Sequence, residues 1–453
     1  MEDLGWRFPL ISKIILNNVD NISLANFRKA SRENSNFLEN ERFYWIRIIK
    51  KYSANFEEFK ESWKKVISKT QVDFLKNLAI DVQTFFNSFS KRYNQQWHPL
   101  FIGAERGSLP LCEHVVERTG DVNSSEQIDG FTPLGFAAQE GHLEICAFLI
   151  KQLDDKIPGE KDGFTPLHRA AQEGHLEICK ALMMHFGNKN PTCNDGLTPL
   201  HSAANSGHLE ICKAIMVHLG NKNPACNDGS TPFHSAAHSG HLEICKAIME
   251  HLRNKNPACN DGSTPLHLAA HSGHLEICKA IMEHLMNKNP ACNDGLTPLH
   301  SAAQEGHLDI CKVIMMHTQN KNPASNDGFT PLHLAAQQGH FEIWKLLIEN
   351  LDDKNPVCHM GWTPFHYAAK YGHLEICKEL LENLDNKNPG NYSGVTPLHV
   401  AASKGQLDVC KQMIQHLDVI NPSDSFGRSP IYFANEKKHM KIVSLLRLAQ
   451  IKD

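Results

Sequence analysis

Apolar and polar positions along this chain fall into a pattern that returns every 33 residues. In one unit Leu200, Ala203 and Ala204 share a face at helical spacing, and a second stripe follows in Leu209, Cys212, Ile215 and Met216. The spacing predicts two short antiparallel helices per unit, with Glu210 and Lys213 on the outward face of the second. Prolines keep the count: Pro133, Pro166, Pro199, Pro232, Pro265, Pro298, Pro331, Pro364, Pro397 and Pro430. A period in the range of about 20 to 50 residues marks units that cannot bury their apolar faces alone and must stack on their neighbours.

Local chemistry fits this division. Thr198 can offer its hydroxyl to orphan amides at a helix start, and Pro199 stands at the first helical position, where its missing N–H costs nothing. The two alanines let neighbouring inner helices approach closely. Gly207 is expected to end the inner helix in the left-handed conformation, and Asn223-Pro224 to stop the second. Between helix pairs an X-Gly dipeptide precedes every signature, from Asp129-Gly130 to Phe426-Gly427, and suits a tight turn needing positive φ. The predicted class is mostly α, each unit a β-turn finger plus two antiparallel helices.

The best-formed copies read Asp-Gly-x-Thr-Pro-Leu-His-x-Ala-Ala-x-x-Gly-His-Leu-Glu-Ile-Cys-Lys, as in residues 195–213 and 261–279. This resembles the ankyrin repeat, over roughly residues 97 to 450. The resemblance implies a solenoid that binds a protein partner on the concave face formed by fingers and inner helices. The array is expected over 97–453 as about eleven repeats, with degenerate ends. Trp97-His98-Pro99-Leu100-Phe101 opens it, and Ser429-Pro430-Ile431-Tyr432 closes it without the histidine.

Charge is more informative split than summed. Residues 1–96 hold 16 Lys+Arg against 11 Asp+Glu, net +5, and the remainder 30 against 39, net −9. An array this acidic argues against nucleic acid as a partner. No apolar run reaches the ~20 residues a membrane span needs. Met1 to Arg7 carries acidic residues and no long apolar core, so a secretory signal is not expected. An intracellular setting, cytoplasmic or nuclear, is the expectation, and a monomer suffices.

The 14 cysteines form two ladders. Cys112, Cys146, Cys179, Cys212, Cys245, Cys278, Cys311, Cys377 and Cys410 lie in second helices, while Cys193, Cys226, Cys259, Cys292 and Cys358 precede the finger turns. Packed helices sit roughly 8–10 Å apart, beyond the ~7 Å Cα limit for a disulfide, so free thiols and a reducing compartment are expected. No Cys-x-x-Cys knuckle exists, which disfavours zinc. Most of the 28 histidines follow the same period. His201 and its equivalents close the signature, and His208 and its equivalents open the second helix, placements suited to tying backbone groups between turns. No nucleophile elbow, phosphate-cradling loop or His-Glu-x-x-His is present, so neither enzyme activity nor cofactor is expected.

Function must then lie in what varies. Two residues before each signature proline, at the fingertip, stand Phe131, Phe164, Leu197, Ser230, Ser263, Leu296, Phe329, Trp362, Val395 and Arg428. Interfaces favour Trp, Tyr and Arg anchors, so Phe329, Trp362, Tyr367 and Tyr371 form the strongest candidate patch, with Phe131 and Phe164 at the other flank. The alternative is that aromatic fingertips only pack on neighbouring fingers. Trp344, in place of a second-helix cysteine, is expected to fill core.

Residues 1–96 carry no repeat. An amphipathic helical segment is expected over 51–96, its stripes running Phe56, Phe59, Trp63, Val66, Ile67 and then Phe74, Leu75, Leu78, Val82, Phe85, Phe86, Phe89; it either caps the first repeat or meets a partner. Residues 1–50 hold Phe8-Pro9, Ile15, Leu16, Ser23-Leu24 and Phe43-Tyr44-Trp45. Over residues 8–48 this is similar to an F-box, although Leu10-Ile11 and Asn34 depart from the pattern. That resemblance implies binding of the Skp adaptor of a cullin-RING ubiquitin ligase through Phe8, Pro9, Ile15, Leu16, Leu24 and Trp45. The chain would then recruit a substrate on its repeats; the alternative is a scaffold unrelated to ubiquitin.

Overall fold

The computed structural model describes residues 99–450 apart from 108, 121, 123–129 and 154–157, so both segments expected within 1–96 lie outside the described residues. Among the described residues there are 22 helices and no strand. They divide into two compact units, one reaching Ala203 together with Glu210–Leu219, the other comprising Ala204–Leu209 and Gly220 onward. The first holds α1 (Pro99–Arg106), α2 (Leu109–Thr119), α3 (Pro133–Gln139), α4 (Leu143–Gln152), α5 (Pro166–Glu173) and α6 (Leu176–His185). The division runs through the pair α7 (Pro199–Ser206) and α8 (Leu209–Val217). The second holds α9 (Pro232–Ser239), α10 (Leu242–Met249), α11 (Pro265–Ser272), α12 (Leu275–Met282), α13 (Pro298–Glu305), α14 (Leu308–His317) and α15 (Pro331–Gln338). It continues with α16 (Phe341–Ile348), α17 (Pro364–Tyr371), α18 (Leu374–Asn383), α19 (Pro397–Lys404), α20 (Leu407–Ile414), α21 (Pro430–Glu436) and α22 (Met440–Gln450).

Within each unit odd-numbered inner helices pack on one another, as α9 on α11 and α17 on α19, and even-numbered outer helices do the same. The alanine pairs are why the inner row fits: Ala269 and Ala270 are fully buried, so nothing larger than a methyl stands between backbones. Outer helices bury their Ile/Cys/Ile/Met stripe, for example Ile244, Cys245, Ile248 and Met249 on α10. Burying each such side chain contributes roughly 1.5–3 kcal/mol, which a single helix pair cannot collect without neighbours.

Threonine and histidine start most inner helices together, whereas α3 has Thr132 with Gly135 and α21 has Ser429 with Tyr432. Thr165 takes extended backbone (φ −119°, ψ 163°), Pro166 follows at the first helical position, and His168 completes a reciprocal capping box, filling the place that Glu or Gln takes elsewhere. The Thr165 amide donates to His168 Nδ1 (3.1 Å) and His168 Nε2 donates to the Leu197 carbonyl of the next finger (3.1 Å). Because Nδ1 accepts and Nε2 donates, the ring is a neutral Nε2–H tautomer. The same bridge joins His234 to Ser263, His300 to Phe329, His333 to Trp362 and His366 to Val395.

A second histidine, as at His340, ties an outer helix to the inner helix of the preceding repeat, and Gln406 takes that place before α20. His340 Nε2 donates to the Gln304 carbonyl at 3.0 Å, and the ring covers Gly306. That glycine ends α13 at φ +87°, where a Cβ would lie 2.8 Å from His340 Cε1. Conformation and space both demand glycine there.

The expectation that Asn223-Pro224 stops the second helix needs correction, because α8 already ends at Val217. Instead, Asn223 Oδ1 accepts the Phe233 amide (3.0 Å) in the first turn of α9, satisfying a donor the helix itself leaves orphaned. Asn256 serves Leu266, Asn289 Leu299 and Asn322 Leu332 in the same way, each at 3.0 Å. Outer helices are finished from elsewhere: the Lys255 and Lys288 ammonium groups bond the carbonyls of Met249 and Met282.

Fingers are joined backbone to backbone. The Cys259 amide bonds the Ser263 carbonyl (2.9 Å) across the turn, and the Asn260 amide reaches the Asp228 carbonyl of the previous finger (2.9 Å). Gly262 sits at φ +82°, and a Cβ there would meet Asn293 at 2.6 Å. No helix among the described residues is long and apolar enough to cross a membrane.

Candidate functional site

Where the fingertip is aromatic or Arg428, its side chain can meet the third residue after the signature proline, as Phe131 meets Phe136, Phe164 Arg169, Trp362 Tyr367 and Arg428 Phe433. In the second unit the preceding fingertip is Phe329, the fingertip itself Trp362 and the helix residue Tyr367 on α17. Tyr367 is buried, with ring centroids 5.4 Å from Phe329 and 5.2 Å from Trp362. Burial pushes its phenol well above the usual tyrosine range, with Cys358 adding to the effect. Tyr367 is therefore the floor of the patch, and the half-buried Phe329 and Trp362 are its walls.

One turn on, Lys370 holds its ammonium over two rings, 5.6 Å from the Trp362 centroid and 4.9 Å from that of Tyr371. Tyr371 is 47% exposed. Trp362 on the finger and Lys370 and Tyr371 on α17 thus bring two aromatic rings together with a cation over both, and the other face of α17 is buried.

Phe131 and Phe164 stand in the same relation in the first unit but are occupied. Arg169, the counterpart of Tyr367, places its guanidinium 4.7 Å from Phe131 and 5.1 Å from Phe164. Its Nε and Nη2 donate to Glu160 at 3.0 and 2.6 Å, and the Glu160 side chain is only 3% exposed. Burial opposes the guanidinium charge, yet Glu160 raises its pKa overall. Periodicity could have revealed Arg169 and Glu160, because Arg169 falls in the register of Tyr367. Arg428 repeats the device, its guanidinium between Phe426 (4.9 Å) and Phe433 (4.8 Å) and paired with buried Asp424 at 2.8 Å.

Between these clusters the last turns of the inner helices are polar. Ser239 donates to Asn205 (3.0 Å), Ser272 meets His238 (3.0 Å), and His271 Nδ1 lies 3.6 Å from Glu305. Fingertips here are Ser230 and Ser263, too small to form an aromatic wall.

The remaining chemistry-bearing groups are structural. Burial lowers the signature histidines, to about 4 for His168, His300, His333 and His366, which keeps them neutral and hydrogen-bonded. Burial also pushes the second-helix thiols up, to about 12 at Cys179, Cys245 and Cys311, so they are not thiolates. No group of three or more His, Cys, Asp or Glu side chains among the described residues is placed to hold a metal. Trp344 is 1% exposed and fills the core, as its position suggested. Phe8, Pro9, Ile15, Leu16, Leu24 and Trp45 lie outside the described residues.

A family model described as "Ankyrin repeats (3 copies)" matches the chain in five successive stretches, residues 100–195, 184–261, 249–327, 316–391 and 383–452. No curated protein matches.

Proposed function

The chain belongs to the ankyrin-repeat family, whose repeats bind protein partners, and from that premise we propose that Trp362, Lys370 and Tyr371 over Tyr367 and Phe329 form its principal contact surface. The observation that carries this reading is the split fate of the aromatic fingertips. Phe131 and Phe164 are consumed by an internal Arg169–Glu160 pair, whereas the second cluster leaves an aromatic pair and a cation open to a partner. Rigid aromatics beside a cation are the groups that dominate interface energetics. The protein does no chemistry in this account; it holds a partner, inside a reducing compartment where its thiols stay free.

A finer reading rests on residues 8–48. If their F-box likeness is functional, they carry the Skp adaptor, and the repeats hold the protein to be ubiquitinated, raising the concentration of a target lysine near the ligase.

Two experiments separate these readings. Affinity capture with the full chain and with Trp362→Ala/Tyr371→Ala identifies partners held by the patch. Losses confined to the variant and absent from Lys246→Ala, on the outer row, support it. Titration of the full chain with purified Skp adaptor, wild type against Pro9→Ala/Leu24→Asp, tests the ligase reading; a wild type that does not bind leaves a scaffold.

A further inference from the structure

The fingers and the last turns of the inner helices change their charge where the patch lies, although residues 361–426 as a whole hold 5 Lys+Arg against 7 Asp+Glu, much like the repeats before them. Fingers of the earlier repeats present an aspartate just before the turn glycine, as at Asp228, Asp261, Asp294 and Asp327. The last three have Met360, Ser393 and Phe426 in that register, and Met360 (67%) and Phe426 (74%) are well exposed.

The inner helices change in step. In the register of Tyr371 the earlier helices carry Ser239, Ser272, Glu305 and Gln338, and the later ones Lys404 and Lys437. Lys437 is paired with Glu436 at 3.2 Å, but Lys370 and the exposed Lys404 make no ion pair among the described residues. They sit on α17 and α19, which pack side by side, and neighbouring helices lie roughly 8–10 Å apart. A lysine in a last helical turn already answers the helix dipole. Lys370 does more, because its ammonium stands over two rings and so offers a cation beside apolar surface.

We propose that this end of the array selects an acidic protein segment that also carries aromatic or aliphatic side chains. Its carboxylates meet Lys370 and Lys404, and its apolar groups lie on Trp362, Tyr371 and the exposed Met360. The inference rests on the patch being the contact surface, and it adds the sign of the partner's charge. A basic segment is disfavoured here by the same two ammonium groups, and the aspartate-bearing fingers that would attract one belong to the earlier repeats.

The test uses the full chain and defined probes: fluorescein-labelled poly(Glu,Tyr), poly(Lys,Tyr) and poly-Glu, followed by fluorescence anisotropy at two salt concentrations. The expected result is salt-sensitive binding of poly(Glu,Tyr) that exceeds poly-Glu. Lys370→Glu/Lys404→Glu should weaken it at least tenfold and Asp228→Asn/Asp261→Asn leave it unchanged. Lys370→Gln/Lys404→Gln, with circular dichroism of every variant, separates charge loss from misfolding and should weaken binding by an intermediate factor. Equal binding of poly(Lys,Tyr), no binding of poly(Glu,Tyr), or indifference to both lysine pairs would overturn the proposal. If Trp362→Ala releases a captured partner that Lys370→Glu/Lys404→Glu still holds, charge selection fails and the contact surface stands.

Discussion

Lowering the pH from 7.5 to 5.0 should destabilise this protein through its signature histidines. His300, His333 and His366 occupy three successive repeats, each neutral, each accepting a threonine amide on Nδ1 and donating to the next finger from Nε2. Burial holds each near a pKa of about 4, against about 6.5 for an unfolded histidine. The groups facing His333 are Thr330, the Phe329 and Tyr367 rings, and the Trp362 carbonyl, Asp353 and the Pro356 carbonyl, the last three opposing burial without overcoming it. As pH falls below about 6.5 the unfolded chain takes up protons that the folded chain refuses until about 4, so stability present above pH 6.5 is lost through that window. At pH 5.0 the loss is roughly 2 kcal/mol per histidine, or about 6 kcal/mol for the three. Urea unfolding followed by circular dichroism at both pH values reads this as a shift of the midpoint. His300→Gln/His333→Gln/His366→Gln keeps a neutral capping group and should shrink the difference between the two urea midpoints. An unchanged difference in the triple variant would refute the reasoning.

Other consequences follow from single contacts. Arg169→Leu removes the two guanidinium donors from the buried Glu160 carboxylate and should lower the urea midpoint, with part of the loss regained in Arg169→Leu/Glu160→Gln. Asn256→Ala leaves the Leu266 amide without its acceptor and should cost about 1–2 kcal/mol, whereas Asn260→Ala, on the exposed finger, should cost less. Gly306→Ala combines a positive φ with a clash against His340 and should lower the melting temperature measurably, by an amount that Gly220→Ala, whose added Cβ meets nothing, does not approach. Iodoacetamide at pH 8 should leave the second-helix cysteines unmodified in the folded protein and label them once urea is added, read by peptide mass spectrometry.

Helix pairs, caps and turn glycines were legible in the sequence because each depends on residues within a few positions of one another. Thr-Pro at a helix start, Ala-Ala on a packed face and glycine at positive φ carry their physical reasons locally. The role of Asn223 was not, since it acts ten residues downstream and Asn-Pro is also an ordinary helix terminator. Tyr367 looked like a contact residue by composition, and only packing shows that Phe329 and Trp362 close over it. Phe131 and Phe164 read like Phe329 and Trp362 until Arg169 is placed between them. Whether an aromatic is displayed or consumed depends on the side chain opposite, which the fingertip series does not contain.

Trp362 and Tyr371 should touch the partner. Single replacement of Trp362, Tyr371 or the outer-row residue Lys246 with p-benzoylphenylalanine, followed by irradiation in cells, reads this contact. The same crosslinked protein is expected from Trp362 and Tyr371 and none from Lys246; crosslinks from Lys246 alone, or different proteins from the two patch positions, would place the contact elsewhere.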